Sequence, residues 1–310
     1  MKKFIMALDW TANTNHSGFF VAAQKGFYAD EGLDVHLRST STDNYARTPA
    51  HLLANKEVHV AMAPSESVIA YRANPQKPTL TAIAAVLQED ASAIVSLRSS
   101  GFDRMRKLDG NRYASYNARF EDHIVAEMIK KDGGSGEHIK IIPEKLGIWN
   151  TLLEGKAAAT WVFMPWEGVM AERKQVGLNA FYLKDFDIPY GYSPVLLAHP
   201  DMLKEDSEAF VRFLRASNKG FQLLKNDPEL AVEALFEKEN LEELTDKAFL
   251  LESQQQITPY YFDKAGNWGL MQEQRWLDFI HWLRNKELVS EEEFENLLDS
   301  PLFTNEYINL

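Results

Sequence analysis

Four side chains able to grip a small molecule fall within seven residues near the start of the chain. They are Trp10, Asn13, Asn15 and His16, inside L-D-W-T-A-N-T-N-H-S at 8–17. An indole offers a flat apolar face, while amides and an imidazole offer donors and acceptors around its rim. That combination suits a small, planar, nitrogen-containing molecule, stacked on the ring and hydrogen-bonded along its edge. The segment follows an apolar run at 4–8 with the length and residue types of a short buried strand, and an apolar run resumes at 18–23. A strand that empties into such side chains before a helix places them at the carboxyl end of a sheet, where open α/β proteins bind ligands. The alternative is a core indole with asparagines capping the helix. Both readings fit the segment alone.

Three further segments leave strands with residue types of the same kind. In P-S-E-S at 64–67, Ser65 and Ser67 offer hydroxyls and helix-start N–H groups to a ligand, or they are plain N-caps. Glu66 there complements a helix dipole. Tyr116, Asn117 and Arg119 mix an aromatic ring, an amide and a charge, although Arg119 could simply pair with a nearby carboxylate. Trp166 and Glu167 follow Pro165. A carboxylate beside a ring suits an aminopyrimidine or amidine-like edge, because it accepts two donors while the ring stacks; the alternative is a first-turn carboxylate favoured by the dipole. Tyr190 and Tyr192 lie in a Gly/Pro-containing turn, where a ring can swing onto a ligand or pin a hinge. Trp149, Trp268, Trp276 and Trp282 read as packing.

The elements that must position these groups alternate. Strands are expected at 4–8, 33–38, 58–62 and 80–87, with helices at 18–26, 46–55 and 65–72 between them; Pro49 is tolerable in a first turn. This rhythm predicts a parallel sheet with helices on both faces. A second block follows, with strands at 93–97, 112–115, 139–142, 158–163, 181–184 and 194–198 and helices at 121–131, 146–153 and 167–174. The G-G-S-G run at 133–136 is a loop. From Asp206 the pattern is helical, at 210–224, 230–236 and 270–283, and the acidic stretch 291–299 reads as a solvated helix face. Two α/β lobes, about 1–88 and 92–195, are expected to create a cleft, a favoured ligand position.

Composition excludes several classes. The 310 residues carry a formal net charge of −12, which argues against nucleic acid and against an anionic membrane surface. No cysteine is present, so disulfides, thiolate metal sites and cysteine nucleophiles are excluded. The eight histidines do not cluster, His51 and His59 coming nearest to a ligand pair, and neither a metal nor a cofactor is expected. No G-x-S-x-G, H-E-x-x-H or P-loop motif is present. No apolar run reaches the roughly 18 residues of a membrane span, and 4–8 is too short for a signal-peptide core. The chain as written is therefore expected in the cytoplasm, or outside it if a leader has been removed.

The stretch L-D-W-T-A-N-T-N-H-S-G-F-F-V-A-A-Q-K-G-F-Y-A-D-E-G-L-D-V at 8–35 resembles the opening of the thiamine-pyrimidine binding proteins and pyrimidine synthases, within the group that includes alkanesulfonate and nitrate binding proteins. V-H-V-A-M-A-P-S-E-S at 58–67, P-W-E at 165–167 and L-F-T-N-E-Y at 302–307 agree. The resemblance implies a type II periplasmic-binding-protein fold: two α/β lobes around a ligand cleft, with a helical C-terminal tail, the lobes being 1–88 plus 199–310 and 89–198. It implies that Trp10 and Asn13 line the pocket from the first lobe, with Ser65 to Ser67 nearby, and that Glu167 holds the pyrimidine amino edge from the second. An ABC transporter permease is the partner it suggests. The enzymatic branch forms its pyrimidine from a lysine-bound pyridoxal phosphate and a histidine. Here Ala63 and Ser67 stand in those places, and the branch's cysteine-rich iron-binding motif has no counterpart. The acidic residue usual at the start of the strand 158–163 is also missing, and Trp161 is bulky for a pocket-facing position. The expectation is a non-enzymatic binding protein for an aminopyrimidine thiamine precursor. The alternatives are a pyrimidine synthase or a sulfonate or other anion binder of the same fold.

Overall fold

Apolar runs become strands where their side chains can be covered on both faces. In the computed structural model, which describes residues 1–308, four strands precede residue 90: β1 (Lys2–Ala7), β2 (Leu33–Arg38), β3 (Val60–Ala63) and β4 (Thr81–Ala85). Five follow before residue 190: β5 (Ser92–Leu97), β6 (Arg112–Ala114), β7 (Ile139–Ile141), β8 (Ala159–Phe163) and β9 (Leu178–Phe181). β10 (Val195–Ala198) comes last. The interleaved helices are α1 (Ser17–Gln24), α2 (Phe27–Asp30), α3 (Pro49–Ala54) and α4 (Ser65–Arg72), then α5 (Glu121–Lys131), α6 (Ile148–Leu153) and α7 (Val169–Arg173). The tail is helical: α8 (Pro200–Glu205), α9 (Ser207–Leu224), α10 (Glu229–Leu235), α11 (Lys247–Ile257), α12 (Glu273–Asn285) and α13 (Glu291–Asp299). Two units result. Unit 1 holds Met1–Asp90, Gly191–Arg284 and the chain from Val289; unit 2 holds Ala91–Tyr190 with Asn285–Leu288.

Each unit contains one five-stranded sheet, ordered β2-β1-β3-β10-β4 and β7-β6-β8-β5-β9. The two share one plan: three parallel strands in the order second, first, third, then an antiparallel strand, then a fourth. The expected all-parallel sheet is thus corrected to a mixed one. β10 pairs antiparallel with β3 and β4, and β5 with β8 and β9. The links β4–β5 and β9–β10, each of which runs from one sheet to the other, contain no α-helix. β10, expected to close the second block, lies in the sheet of unit 1. The strand expected at 181–184 is Leu178–Phe181 instead, followed by a 3-10 turn at Leu183–Phe186. Its true signal is the alternation of Leu178, Ala180 and Tyr182, which pack against Ala93, Val95 and Val162.

The tail supports unit 1. Phe4 of β1 is buried, stacked on Phe213 of α9 at 4.8 Å. α9 also crosses α1 where both carry glycine: a Cβ on Gly220 would lie 2.0 Å from the Gly18 carbonyl oxygen. α11, which the sequence reading missed, sits behind the turn that follows β1. Thr14 Oγ1 and Ser253 Oγ are 2.7 Å apart, and Ser17 Oγ donates to Gln254 Oε1 at 2.5 Å. All four residues are buried, so the polar turn is satisfied by polar partners from the tail. No helix among the described residues is long and apolar enough to cross a membrane.

In unit 2 the G-G-S-G loop wraps one carboxylate. Asp109 accepts from the backbone N–H groups of Ser135, Gly136 and Glu137 and from the Ser135 hydroxyl. The Ser135 N–H, foremost among these donors, holds the Asp109 carboxyl below its ordinary value. A depressed carboxylate contributes stability that is complete above its unfolded pKa, about 3.9, and is lost as pH falls through the native value. Asp109→Asn is expected to speed amide exchange at Ser135–Glu137 at neutral pH, the difference from wild type closing below about pH 4. Exchange measured at pH 7 and pH 3 checks this.

Candidate functional site

At the carboxyl end of β1 the chain turns through a 3-10 helix, Thr14–His16, capped by Asn13. Asn13 Oδ1 accepts from Asn15 N at 2.8 Å and Asn13 Nδ2 donates to the Thr11 carbonyl at 2.9 Å, so this amide is the cap that the alternative reading foresaw. His16 is fully buried, and both ring nitrogens are engaged. Nδ1 accepts from Asn13 N at 3.2 Å, which leaves the proton on Nε2, and Nε2 donates to Asp9 Oδ1 at 2.7 Å. The ring is thus engaged within its own turn and with Asp9, whose carboxylate it orients. Trp10 and Asn15 belong to the same segment. Trp10 is half-buried, with Tyr45 edge-on at 5.4 Å. Asn15 is 6% exposed, and its Oδ1 is buried without a hydrogen-bond partner.

At the end of β3, α4 begins directly at Ser65, and its N-cap residue is Pro64 with no side-chain cap. Neither serine is therefore the plain cap considered above. The Ser65 N–H donates to the Tyr192 carbonyl at 2.9 Å, while Ser65 Oγ is fully buried without a partner. Gly191 lies against that hydroxyl, where a Cβ would come within 2.6 Å. Glu66 is buried and Ser67 half-buried in the first turn. Tyr192 is buried, its hydroxyl accepting from Gln272 N at 2.8 Å and its ring under the Arg275 guanidinium at 4.1 Å. Tyr192 is thus held within unit 1 by Gln272 and Arg275.

Unit 2 gathers its candidates at the ends of β6 and β8. Glu121, at the start of α5, organises the first loop: it accepts from the hydroxyls of Tyr113 and Ser115 and from the N–H groups of Tyr116 and Ala118. Burial lifts its carboxyl above the ordinary value, and these donors oppose the rise. Asn117 is exposed in a left-handed conformation, φ +62°, which asparagine tolerates. Arg119 is exposed, its guanidinium 5.0 Å from the Phe120 ring. After β8 a π-helical turn, Met164–Gly168, holds buried Trp166 and half-buried Glu167. Glu167 Oε2 accepts from Phe163 N at 3.0 Å. Such turns recur at functional sites. Tyr190 meets Trp161 at 5.4 Å, and Trp161 Nε1 donates to Ser92 Oγ at 2.6 Å, so the bulky indole is one half of an aromatic pair.

The profile described as NMT1/THI5 like matches residues 13–231, more than half of the chain. The chain belongs to the NMT1/THI5-like family. It is 23% identical over 304 residues to the formylaminopyrimidine-binding protein of Halalkalibacterium halodurans, covering 94% of this chain and 89% of that one. It is 21% identical over 233 residues to the 4-amino-5-hydroxymethyl-2-methylpyrimidine phosphate synthase of Legionella pneumophila, covering 74% and 72%. Among solved structures it is similar to the alkanesulfonate-binding protein SsuA from Xanthomonas axonopodis pv. citri bound to MOPS, with TM-score 0.69, 10% identity and 94% and 96% of the two chains covered. That likeness gives the fold, the periplasmic binding protein fold that the resemblance implied.

In this NMT1/THI5-like chain, Ala63 ends β3 nearly buried and Ser67 lies in the first turn of α4. Neither place carries an amine or an imidazole. Among the described residues no group of three or more His, Asp or Glu is placed to hold a metal ion. The structure adds residues that sequence reading missed. Asp9 is oriented by His16, and burial, then the Asp9 charge, raises the Tyr45 phenol. Glu239 Oε1 accepts from Ala12 N at 2.8 Å, while its Oε2 is buried without a partner. Lys145, in the turn after β7, has its ammonium pulled down by burial against the Glu121 charge. Asp9 stood in the quoted motif beside Trp10, so its signal was available; Glu239 lies 227 residues from its partner and had none.

Proposed function

We propose that the chain is a non-catalytic solute-binding protein for a small thiamine-precursor aminopyrimidine of the formylaminopyrimidine or hydroxymethylpyrimidine type. One observation carries the reading: at the strand ends of unit 1, a half-exposed indole accompanies buried side-chain oxygens that have no partner. Unpaired buried oxygens lower stability unless a ligand completes them. Trp10 supplies the stacking face, Asn15 Oδ1 accepts from an amino group, and Ser65 Oγ can donate or accept. Glu167 in unit 2 is the carboxylate proposed for the amino edge. The relative named as a formylaminopyrimidine-binding protein supports this ligand class. Ala63, Ser67 and the lack of cysteine argue against a synthase. The proposed setting is delivery to an ABC uptake system or to thiamine biosynthesis.

A binder of sulfonate or another anion is the second reading, favoured by the exposed guanidinium of Arg119. Asn15 Oδ1 disfavours it, since a buried acceptor suits a donor rather than an anion. Calorimetric titration separates the two. The expected result is one site for 4-amino-5-hydroxymethyl-2-methylpyrimidine with Kd between micromolar and nanomolar, about −8 to −12 kcal/mol, and no heat with an alkanesulfonate. Sulfonate binding without pyrimidine binding would reverse the assignment.

A further inference from the structure

Thr40 opens the 3-10 turn that follows β2, and its hydroxyl is buried without a hydrogen-bond partner. Two other side-chain oxygens share that condition beyond the neighbouring strands of the same sheet: Asn15 Oδ1 past β1 and Ser65 Oγ past β3. All three residues are more than nine-tenths buried. Packing alone does not favour such a pattern, because a buried polar atom left unpaired weakens the fold. A set of them at the carboxyl ends of three adjacent parallel strands is what a polar ligand would complete.

Thr40 is built into the strand end next to the indole. β1 and β2 stay paired past their last ladder residues, with Leu8 N donating to the Arg38 carbonyl at 2.8 Å and Thr40 N to the Trp10 carbonyl at 3.5 Å. Neighbouring strands lie about 4.8 Å apart. The pairing holds the Thr40 turn beside the Trp10 segment, which leads on to the turn that carries Asn15. We propose that Thr40 is a further ligand contact, its hydroxyl pairing with a polar arm on the ring carbon next to the amino group. It would then select aminopyrimidines that carry such an arm over those that do not. This inference rests on the aminopyrimidine reading above.

The test uses the full chain, the Thr40→Val and Thr40→Ser variants, and two probes: 4-amino-5-hydroxymethyl-2-methylpyrimidine, which has the arm's hydroxyl, and 4-amino-2,5-dimethylpyrimidine, which lacks it. Valine keeps the shape and removes the unpaired hydroxyl. Thr40→Val is therefore expected to raise the unfolding temperature of the ligand-free protein. It should weaken binding of the hydroxymethyl probe about tenfold, the worth of one hydrogen bond, and leave the dimethyl probe unchanged. Thr40→Ser should restore the hydroxymethyl affinity. Equal weakening of both probes, a lowered unfolding temperature with Thr40→Val, or no change for either probe would overturn the inference and leave the aminopyrimidine reading standing. Wild-type protein that binds neither probe overturns that reading and this inference with it.

Discussion

Trp10→Ala is expected to weaken aminopyrimidine binding about a hundredfold while the protein stays folded, an effect of about 2.7 kcal/mol. The indole is half-buried and meets Tyr45 edge-on, and it is the ring proposed to stack on the pyrimidine. Truncating an aromatic anchor of this kind typically costs 2 kcal/mol or more of about 10 kcal/mol of binding. The fold is expected to survive because Trp10 lies outside the buried core formed by Phe4, Met6, Ala7 and Leu8. The measurements are a calorimetric titration and a thermal melt of the same variant. Unchanged affinity would remove Trp10 from the site; a collapsed melt would return it to the core.

Gly220→Ala is expected to destabilise the protein by about 2–3 kcal/mol and to weaken ligand binding as well. The added Cβ would meet the Gly18 carbonyl oxygen at 2.0 Å and the Ala22 backbone nitrogen at 3.0 Å. Both are backbone atoms, so no rotamer change relieves the clash and α1 must move. The Thr14–His16 turn leads straight into α1, so a shift of that helix displaces Asn15 and the His16–Asp9 pair. Urea unfolding followed by circular dichroism checks the stability loss. A variant that unfolds like wild type would contradict the close crossing of α1 and α9.

The sequence carried the fold far because its local signals agreed with one another. β2, α4, α5 and α13 run over the residues their patterns predicted, and the β-α rhythm named the layers correctly. Strand direction was not legible in the rhythm itself. It lay in the long-range pairing of β10 with β3 and β4 and of β5 with β8 and β9, which no local pattern encodes. α11 escaped notice because its apolar face is narrow: Ser253 and Gln254 are buried for their hydrogen bonds to the β1 turn, not for hydrophobicity.

The site divided along the same line. Trp10, Asn15, Ser65 and Glu167 stood out because polar or aromatic residues interrupted apolar runs at strand ends. Their partners did not stand out. N-T-N-H spells a capping turn, and only the folded geometry shows that Asn13 caps while Asn15 leaves an oxygen unpaired. His16 looked like a donor for a ligand and is spent on Asp9, because its seven-residue separation from that carboxylate closes only once the turn forms. Glu239 reaches Ala12 from the tail, a contact that no local pattern encodes.

Native mass spectrometry of the protein with 4-amino-5-hydroxymethyl-2-methylpyrimidine tests the central claim most directly. A single 1:1 complex with unaltered ligand mass is expected, retained against an excess of alkanesulfonate and lost in Trp10→Ala. A protein that binds the sulfonate and ignores the pyrimidine, or that returns the pyrimidine with a changed mass, would contradict it.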